Sequence, residues 1–460
     1  MVSCITRGAH ITINGIQTMA NSDIQSKKMP KGRLNRFGKL TGLVGRVAGN
    51  MLYEGSKQFA KGQRPNTQAL LLTPQNAKRF ADHLAQMRGA AMKVGQLLSM
   101  DAGDLLPEEL TLILSQLRSQ GKSMPLNQLV GVLEKDWGDD WQDQFTQFSF
   151  YPIAAASIGQ VHEAHTQDGR HLALKIQYPG IKTTIDSDVD NLSSLLKLSR
   201  LIPKTVDLQP ILKEAKLQLH AEADYQYESD CLTRYKTHLT NDSRFLIPNV
   251  HPELTSESIL AMDFVQGVAI ESREHAAQQE RNAIMQALFE LLFKEMFEFK
   301  LVQTDPNFAN YQYNPQTQQV VLLDFGATRH YSDLISKGYL KLIRGAIANN
   351  PAEIEAAAMQ IGFFSETILP QQKDAVIELF QQACEPIVFT GEFDFGQSDL
   401  PARIKDKGMA LSMELDYWHT PPADALFFHR KLGGLYLLAA KLKAQVNVLE
   451  AFKTVTASIK

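Results

Sequence analysis

The chain has 460 residues, 44% of them hydrophobic and 21% charged, with a formal net charge of −3; this is an ordinary globular composition, long enough for about two to four packed units. Its three cysteines, Cys4, Cys231 and Cys384, form no CxxC pair, so neither a disulfide framework nor a zinc site is expected and the predicted compartment is reducing. No run approaches the roughly 18 apolar residues of a spanning helix, so an integral membrane protein is not expected.

Charge is uneven along the chain. Residues 1–66 hold eleven Lys/Arg against two acidic residues, Asp23 and Glu54, a balance of +9, while the remaining 36 basic and 48 acidic residues give −12. Within the basic arm Leu34, Phe37, Leu40, Leu43, Val44, Val47 and Leu52 recur near helical spacing, interleaved with Lys31, Arg33, Arg36, Lys39 and Arg46. That pattern suits a helix lying on anionic lipid. A solvated arm, a helix packed on the acidic body and an Arg-rich transit peptide are the other readings of the segment, and Met19 offers an alternative start. Nucleic-acid binding is not expected, because the arm lacks an aromatic-rich binding pattern.

After the arm, residues 76–100 form an amphipathic pattern with Phe80, Leu84, Met87, Ala91, Val94 and Leu98 on one stripe. In its stretch Arg88-Gly89-Ala90-Ala91-Met92-Lys93-Val94-Gly95-Gln96, Lys93 and Gln96 lie three apart on the other side. A helical glycine costs ~1 kcal/mol relative to alanine, which predicts close packing there. Pro107 and Pro125 punctuate the chain, and 126–145 is a second helical pattern. Short β-like runs follow at 159–164 and 171–176, joined by Gln167-Asp168-Gly169, the signature of a hairpin. Helices are predicted over 184–201 and 209–239 and a strand over 258–265. From residue 276 the pattern is mainly helical, apart from the loop and strand between Asp305 and Asp324.

That last stretch carries the most chemistry. Asp305 is followed five residues on by Asn310, and nineteen residues on, behind the apolar run Val320-Val321-Leu322-Leu323, by Asp324-Phe325-Gly326. This is the spacing of a kinase catalytic loop and its metal-binding loop, in which one Asp orients the attacking group while an Asn and a second Asp hold Mg²⁺. A second Asp-Phe-Gly at Asp394 lies 89 residues beyond Asp305 and is rejected on spacing. Gln303-Thr304 stands where protein kinases usually have His-Arg, and no Ala-Pro-Glu follows.

Upstream, Leu172-Ala173-Leu174-Lys175 matches the strand tetrapeptide whose Lys reaches the α/β-phosphates and is held by a helix carboxylate. Ala154-Ala155-Ala156-Ser157-Ile158-Gly159 stands where a glycine-rich phosphate loop would precede it; alanine does not adopt positive φ cheaply, so this loop is expected to be stiffer. On helical geometry Asp224 and Glu228 share a face and Glu222 points elsewhere. Glu228 is therefore favoured as the partner of Lys175, with Glu222 and Asp224 assigned to a second contact.

Together, Lys93-Val94-Gly95-Gln96, the alanine-rich loop running on to His162, Lys175 to Gly180, Glu222-Ala223-Asp224-Tyr225, Gln303 to Asn307 and Leu323 to Arg329 resemble the UbiB/AarF-type atypical kinases associated with ubiquinone biosynthesis. The resemblance runs from about residue 85 to the C-terminus and rests on the KxGQ, alanine-rich and ExD motifs. It implies an α+β, bilobal protein-kinase-like fold whose KxGQ helix crosses the nucleotide cleft, with Lys93 and Gln96 meeting the ExD carboxylates Glu222 and Asp224 as a regulatory set. It also implies ATP and Mg²⁺ as cofactors, and ATPase activity stimulated by lipid or phenolic quinone-like compounds.

The expected domains are the basic arm (1–66), a helical KxGQ extension (67–147), a kinase-like N-lobe with inserted helices (148–265) and a mainly helical C-lobe (266–460). The hinge is expected at 262–266, so Met262, Asp263 and Val265 join Ala154, Ala155, Ala156, Ser157, Lys175 and Glu228 as nucleotide-binding candidates. The patterns at 435–442 and 446–459 are too short and too charged to span a bilayer, so membrane contact is expected through the basic arm. Expected partners are nucleotide, anionic membrane lipid and quinone-pathway proteins or intermediates. The short arm favours a bacterial protein peripheral to the inner membrane; the matrix side of the mitochondrial inner membrane is the alternative. Two other functions stay open at this point: a small-molecule or protein kinase, and a nucleotide-dependent scaffold.

Overall fold

The computed structural model describes residues 9–13, 16–20, 87–101, 123–199, 208–305, 307–415, 417, 419 and 421–459. The helical stripe expected at 34–52 and the first turns of the 76–100 pattern lie outside these residues. The chain divides into two compact units: Met1–Asp230 with Asn249–Phe264, and Cys231–Pro248 with Val265–Lys460.

The sheet of the first unit comprises β1 (Ala9–Ile13), β2 (Ile16–Ala20), β3 (Phe145–Phe148), β4 (Ala154–Ala155), β5 (Gly159–Thr166), β6 (His171–Gln177) and, after β7 of the second unit (Phe245–Leu246), β8 (Ile259–Asp263). Their order is β1-β2-β3-β5-β6-β8, with β4 pairing on β5. The expected hairpin is present, with β5 and β6 antiparallel from Gly159 opposite Gln177 to His165 opposite His171. Its turn places Gly169 at φ 87°, a conformation that costs glycine little. Leu172, Leu174 and Ile176 of β6 join Ala164, Phe145, Phe148 and Trp141 in one buried core. There Trp141 meets Phe148 edge-on at 5.1 Å.

Among the described residues the helices of this unit are α1 (Arg88–Asp101), α2 (Leu126–Trp137), α3 (Ile181–Ser199), α4 (Leu208–Glu222) and α5 (Tyr225–His238), the last running on past the unit boundary. Ala91, Val94 and Leu98 form the buried stripe of α1, which packs on α3 and α4. Helix α2 buries Leu129, Val132 and Leu133 and stops at Gly138, whose φ of 87° breaks the helix. The expected helix over 126–145 is therefore shorter, and Phe145 opens β3 instead.

The single helix expected over 209–239 is two helices. At the break, Oδ1 of Asp224 accepts the N–H of Tyr227 at 3.1 Å, an N-cap bond that starts α5. Nε2 of Gln177 donates to the carbonyl of Ala223 at 2.8 Å, so the break leaves that buried carbonyl paired.

The second unit contains β9 (Val268–Ala269), β10 (Leu301–Gln303), β11 (Tyr311–Asn314), β12 (Gln319–Leu322), β13 (Thr328–His330), β14 (Phe393–Asp394) and β15 (Gln445–Val446). They form the sheet β7-β12-β11-β9 and the antiparallel pairs β10-β13 and β14-β15. Around them lie α6 (Gln278–Phe293), α7 (Asp333–Ile347), α8 (Pro351–Ile361), α9 (Pro370–Ala383), α10 (Glu385–Val388), α11 (Leu400–Met413), α12 (Ala423–Lys441) and α13 (Val448–Thr456). Helix α6 continues into a π-helical turn, Lys294–Phe299, which ends with Lys300 in the left-handed region and so redirects the chain into β10. Phe293 meets Phe452 of α13 edge-on at 5.4 Å in this core. Among the described residues no helix is long and apolar enough to cross a membrane.

Candidate active site

In the first unit, Lys175 sits on β6 and Glu228 in the first turn of α5. The Lys175 Nζ donates to both carboxylate oxygens of Glu228, at 2.8 and 3.0 Å, and Glu228 is fully buried. The pairing follows from strand alternation, since Lys175 and Gln177 leave the same face of β6 and both reach the chain around the α4/α5 break. A buried charge pair held by two bonds fixes the ammonium in one place. The Tyr225 ring lies 5.5 Å from the same Nζ.

The alanine-rich segment folds back on β5. Ala154 pairs with Val161 and Ala155 with Gln160, and the N–H of Ala156 donates to the carbonyl of Gly159 at 2.9 Å. Ala154 and Ala155 are exposed. Ser157 ends the turn and donates through Oγ to Oε2 of Glu222 at 2.5 Å. The other oxygen of Glu222 meets Nζ of Lys93, also at 2.5 Å, with Lys93 buried on α1. One carboxylate thus joins helix α1 to the alanine-rich loop. Backbone packing reinforces the contact, because a Cβ on Gly89 would stand 2.9 Å from the carbonyl oxygen of Ser157. The side chain of Gln96 lies outside the described residues, and Asp224 is exposed and caps α5.

Behind the loop, Gln160 and His162 form a buried polar link. The Gln160 Oε1 accepts the N–H of Met124 at 2.9 Å, its amide faces Nε2 of His162 at 2.7 Å, and Nδ1 of His162 lies 2.7 Å from the carbonyl of Ser149. That carbonyl can only accept, which makes Nδ1 the protonated nitrogen. Burial holds the ring neutral, with its pKa lowered to about 4.

Of the residues expected near the hinge, Met262 is buried on β8 opposite Ala173. Asp263 accepts from the backbone and side chain of Asn249 (2.9 and 2.6 Å) and faces Nε2 of His251 at 2.8 Å. Val265 is the first residue of the second unit after β8.

In the second unit, β10 delivers Gln303-Thr304-Asp305. Thr304 is fastened to the segment after Gly326, its N–H and Oγ1 both donating to the carbonyl of Ala327, at 3.1 and 2.6 Å. Oδ1 of Asp305 accepts the N–H of Asn307 at 3.2 Å. Asn307 in turn caps a short 3-10 turn over Phe308–Asn310, and the carbonyl of Asn310 accepts the N–H of Leu323 at 3.4 Å. Oδ1 of Asp324 accepts the N–H of Gly326 at 3.1 Å. The rejected Asp394 makes the same local turn with Gly396, at 2.9 Å, but belongs to β14, paired with β15.

The residues proposed for a divalent cation are hard oxygen donors, Asp324 and Asn310. Asn310 is buried, and the atom of its side chain that would bind a cation is Oδ1, not the unpartnered donor Nδ2. One carboxylate and one amide, completed by substrate phosphates, is the kind of set that Mg²⁺ takes, and the residues present fit it.

Sequence reasoning missed three buried residues of this unit. Tyr235, Glu295 and Lys431 are joined to one another and to Gln303. Nothing local marks Tyr235, Glu295 or Lys431: Glu295 stands beside Lys294 and three residues before Glu298, so its charge does not single it out.

A Lys on a hairpin held by a helix Glu, together with an Asp-x-x-x-x-Asn loop followed by an Asp-Phe-Gly turn, defines the class as protein-kinase-like and the fold as α+β. The family model described as the ABC1 atypical kinase-like domain matches residues 116–358. The atypical kinase COQ8, mitochondrial, of Saccharomyces cerevisiae is 35% identical over 439 residues, covering 94% of this chain and 87% of that protein. COQ8B, mitochondrial, of Danio rerio is 32% identical, covering 95% of this chain and 70% of that protein. A solved structure of Mycobacterium tuberculosis Rv3197 in complex with erythromycin shares the fold, with a TM-score of 0.56 at 23% identity, covering 83% of this chain and 95% of that one. The chain belongs to the ABC1 atypical kinase-like family, the UbiB group that includes these COQ8 relatives. It is an atypical kinase, an enzyme of phosphoryl transfer from ATP.

Proposed function

We propose that the chain is a Mg²⁺-dependent ATPase that supports ubiquinone biosynthesis or lipid handling at a membrane surface. The observation that carries this reading is the Glu222 carboxylate bonded at once to Lys93 of α1 and to Ser157 of the alanine-rich loop. A phosphate loop held by a neighbouring helix is suited to slow, gated turnover rather than to free exchange of protein substrates. Lys93, Gln96, Glu222 and Asp224 are the regulatory set of this reading.

In this reading Lys175, held by Glu228, contacts the α/β-phosphates and the 154–157 loop covers them. Asp305 orients the attacking group, which is water in hydrolysis. Asp324 and Asn310 would hold Mg²⁺, which supplies neutralising charge to the phosphates. Met262, Asp263 and Val265 contribute to the base site; with its carboxylate taken by Asn249 and His251, Asp263 does so through its backbone. Membrane contact is peripheral, through the basic arm, and anionic lipid and quinone-pathway components are the proposed partners. An inner-membrane surface is common to the bacterial and mitochondrial alternatives; the names of the relatives favour the mitochondrial one.

The test is phosphate release from ATP with Mg²⁺, with and without anionic liposomes and a phenolic quinone-precursor mimic, comparing wild type with Asp324→Asn. Lipid-stimulated turnover that vanishes in the variant is expected. Equal turnover in the variant would sink the assignment, and nucleotide binding without release under every condition would point to a scaffold.

A further inference from the structure

The Gln303-Thr304 pair departs from the usual His-Arg, and the structure supplies an unexpected neighbour at this place. The side-chain amide of Gln303 is buried with both ends unpartnered among the described residues, so it does not align the loop. Its backbone does. The N–H of Gln303 donates to the hydroxyl of Tyr235 at 2.8 Å. The single proton of that hydroxyl is shared between Oε1 of Glu295 at 2.7 Å and the carbonyl of Leu301 at 2.9 Å. The other carboxylate oxygen of Glu295 is bonded to Nζ of Lys431 on α12. On its other side the Tyr235 ring packs on Phe325 of the Asp-Phe-Gly turn, with centroids 4.7 Å apart. Tyr235, Glu295 and Lys431 are all fully or almost fully buried.

We infer that Tyr235 is a positioning residue for the phosphoryl-transfer site: its hydroxyl fixes the entrance to the Asp305 loop while its ring fixes the Asp324 turn, and Glu295 with Lys431 holds the hydroxyl in place. The inference rests on the roles proposed above for Asp305 and Asp324. One rigid phenol, with a hydrogen bond at one end and a packed face at the other, adds a second brace to the bonds of Thr304 with Ala327 and sets the spacing of the two segments from behind. Burial supports the rigidity. It pushes the phenol well above its ordinary range, and the charge of Glu295 adds to this, so the hydroxyl keeps its proton and remains a donor. Burial also drives the Glu295 carboxyl up and the Lys431 ammonium down, and each partner opposes the shift of the other.

Tyr235→Phe keeps the ring on Phe325 and removes only the oxygen. Because a misplacement of about 1 Å can cost on the order of a hundredfold in rate, kcat for ATP hydrolysis is expected to fall about ten- to a hundredfold. The KM for ATP should stay within about twofold, because the proposed phosphate contacts of Lys175 are untouched. Amide hydrogen exchange at Gln303 should quicken, while exchange in the middle of α6 should not change.

Should Tyr235→Phe not fold, the same substitution goes into a Glu295→Gln/Lys431→Met background. That pair replaces the buried ions with neutral groups of similar shape, a change that buried pairs tolerate, and the amide introduced by Glu295→Gln still presents an oxygen to the hydroxyl. The background alone sets the reference rate, and adding Tyr235→Phe is expected to lower that rate by the factor given above. A kcat within about twofold of its parent in the Tyr235→Phe protein, with Asp324→Asn inactive, would overturn the inference. Turnover surviving in Asp324→Asn would instead overturn the functional reading beneath it.

Discussion

The buried Lys175–Glu228 pair allows stability and chemistry to be separated by one set of variants. The carboxylate is fully buried and both its oxygens accept from Lys175, at 2.8 and 3.0 Å. Lys175→Met takes that cation away from the carboxylate, and breaking a buried pair in this way costs about 3–5 kcal/mol. In a unit of this size each kcal/mol lowers the midpoint by about 2–4 °C, so the expected fall is about 6–20 °C. Glu228→Gln takes the anion away from the ammonium and is expected to cost a similar amount. The double variant Lys175→Met/Glu228→Gln has neither charge of the pair, so it should recover most of the loss and show a coupling of several kcal/mol rather than additivity. Thermal and urea unfolding of the four proteins measure this. ATP hydrolysis should nonetheless be absent from the double variant, since a thioether cannot hold phosphates. Additive destabilisation, with coupling below about 0.5 kcal/mol, would refute the ion-pair argument, and turnover in the folded double variant would refute the role of Lys175.

Gly89→Ala places a methyl group 2.9 Å from the backbone oxygen of Ser157, an overlap worth about 1–3 kcal/mol against the docked position of α1; ATP turnover is expected to rise severalfold. Gly131→Ala in α2, where the added carbon meets nothing within 4 Å, is the control, and equal rates in the two variants would count against restraint by α1. His162 in the first unit and His429 in the second are both held neutral by burial, each with its pKa lowered to about 4. A lowered histidine pKa gives stability that is present above about pH 6.5 and lost as pH falls toward 4, on the order of 3 kcal/mol per site. Unfolding midpoints measured from pH 7 to pH 4 should therefore fall, and His162→Gln should flatten the decline for the first unit; a profile unchanged by that substitution would contradict it.

The parts of the fold written in short-range pattern were legible in the sequence. The β5/β6 hairpin follows from two alternating runs and an Asp-Gly turn, and the kinase-like class follows from the spacing of Asp305, Asn310 and Asp324. Spacing was the deciding quantity there, because Asp324 and Asp394 make the same three-residue turn and their distances from Asp305 differ by 70 residues. Helix length was less legible. A periodic run from 209 to 239 carries no glycine or proline at its break, and the interruption depends on Gln177, 46 residues away, donating to the carbonyl of Ala223. Tyr235, Glu295 and Lys431 were invisible for a related reason: Tyr235 and Lys431 lie 60 and 136 residues from Glu295 along the chain, beyond any local signal.

The break between α4 and α5 is what allows three neighbouring acids to do three different things. In one continuous helix, at 3.6 residues per turn, Asp224 and Glu228 would share a face and compete for the same cation. Instead Asp224 leaves the helical path and its carboxylate turns to the N–H of Tyr227, while Glu228 faces β6 and its lysine. Glu222, at the end of the preceding helix, keeps a separate direction and meets Lys93 and Ser157. The same strand enforces both outcomes: Lys175 holds the carboxylate after the break, and Gln177, two residues on and on the same face, holds the carbonyl within it. A strand that positions Lys175 thereby also positions the carboxylate that ties α1 to the alanine-rich loop, so the proposed catalytic contact and the proposed restraint share one mechanical origin.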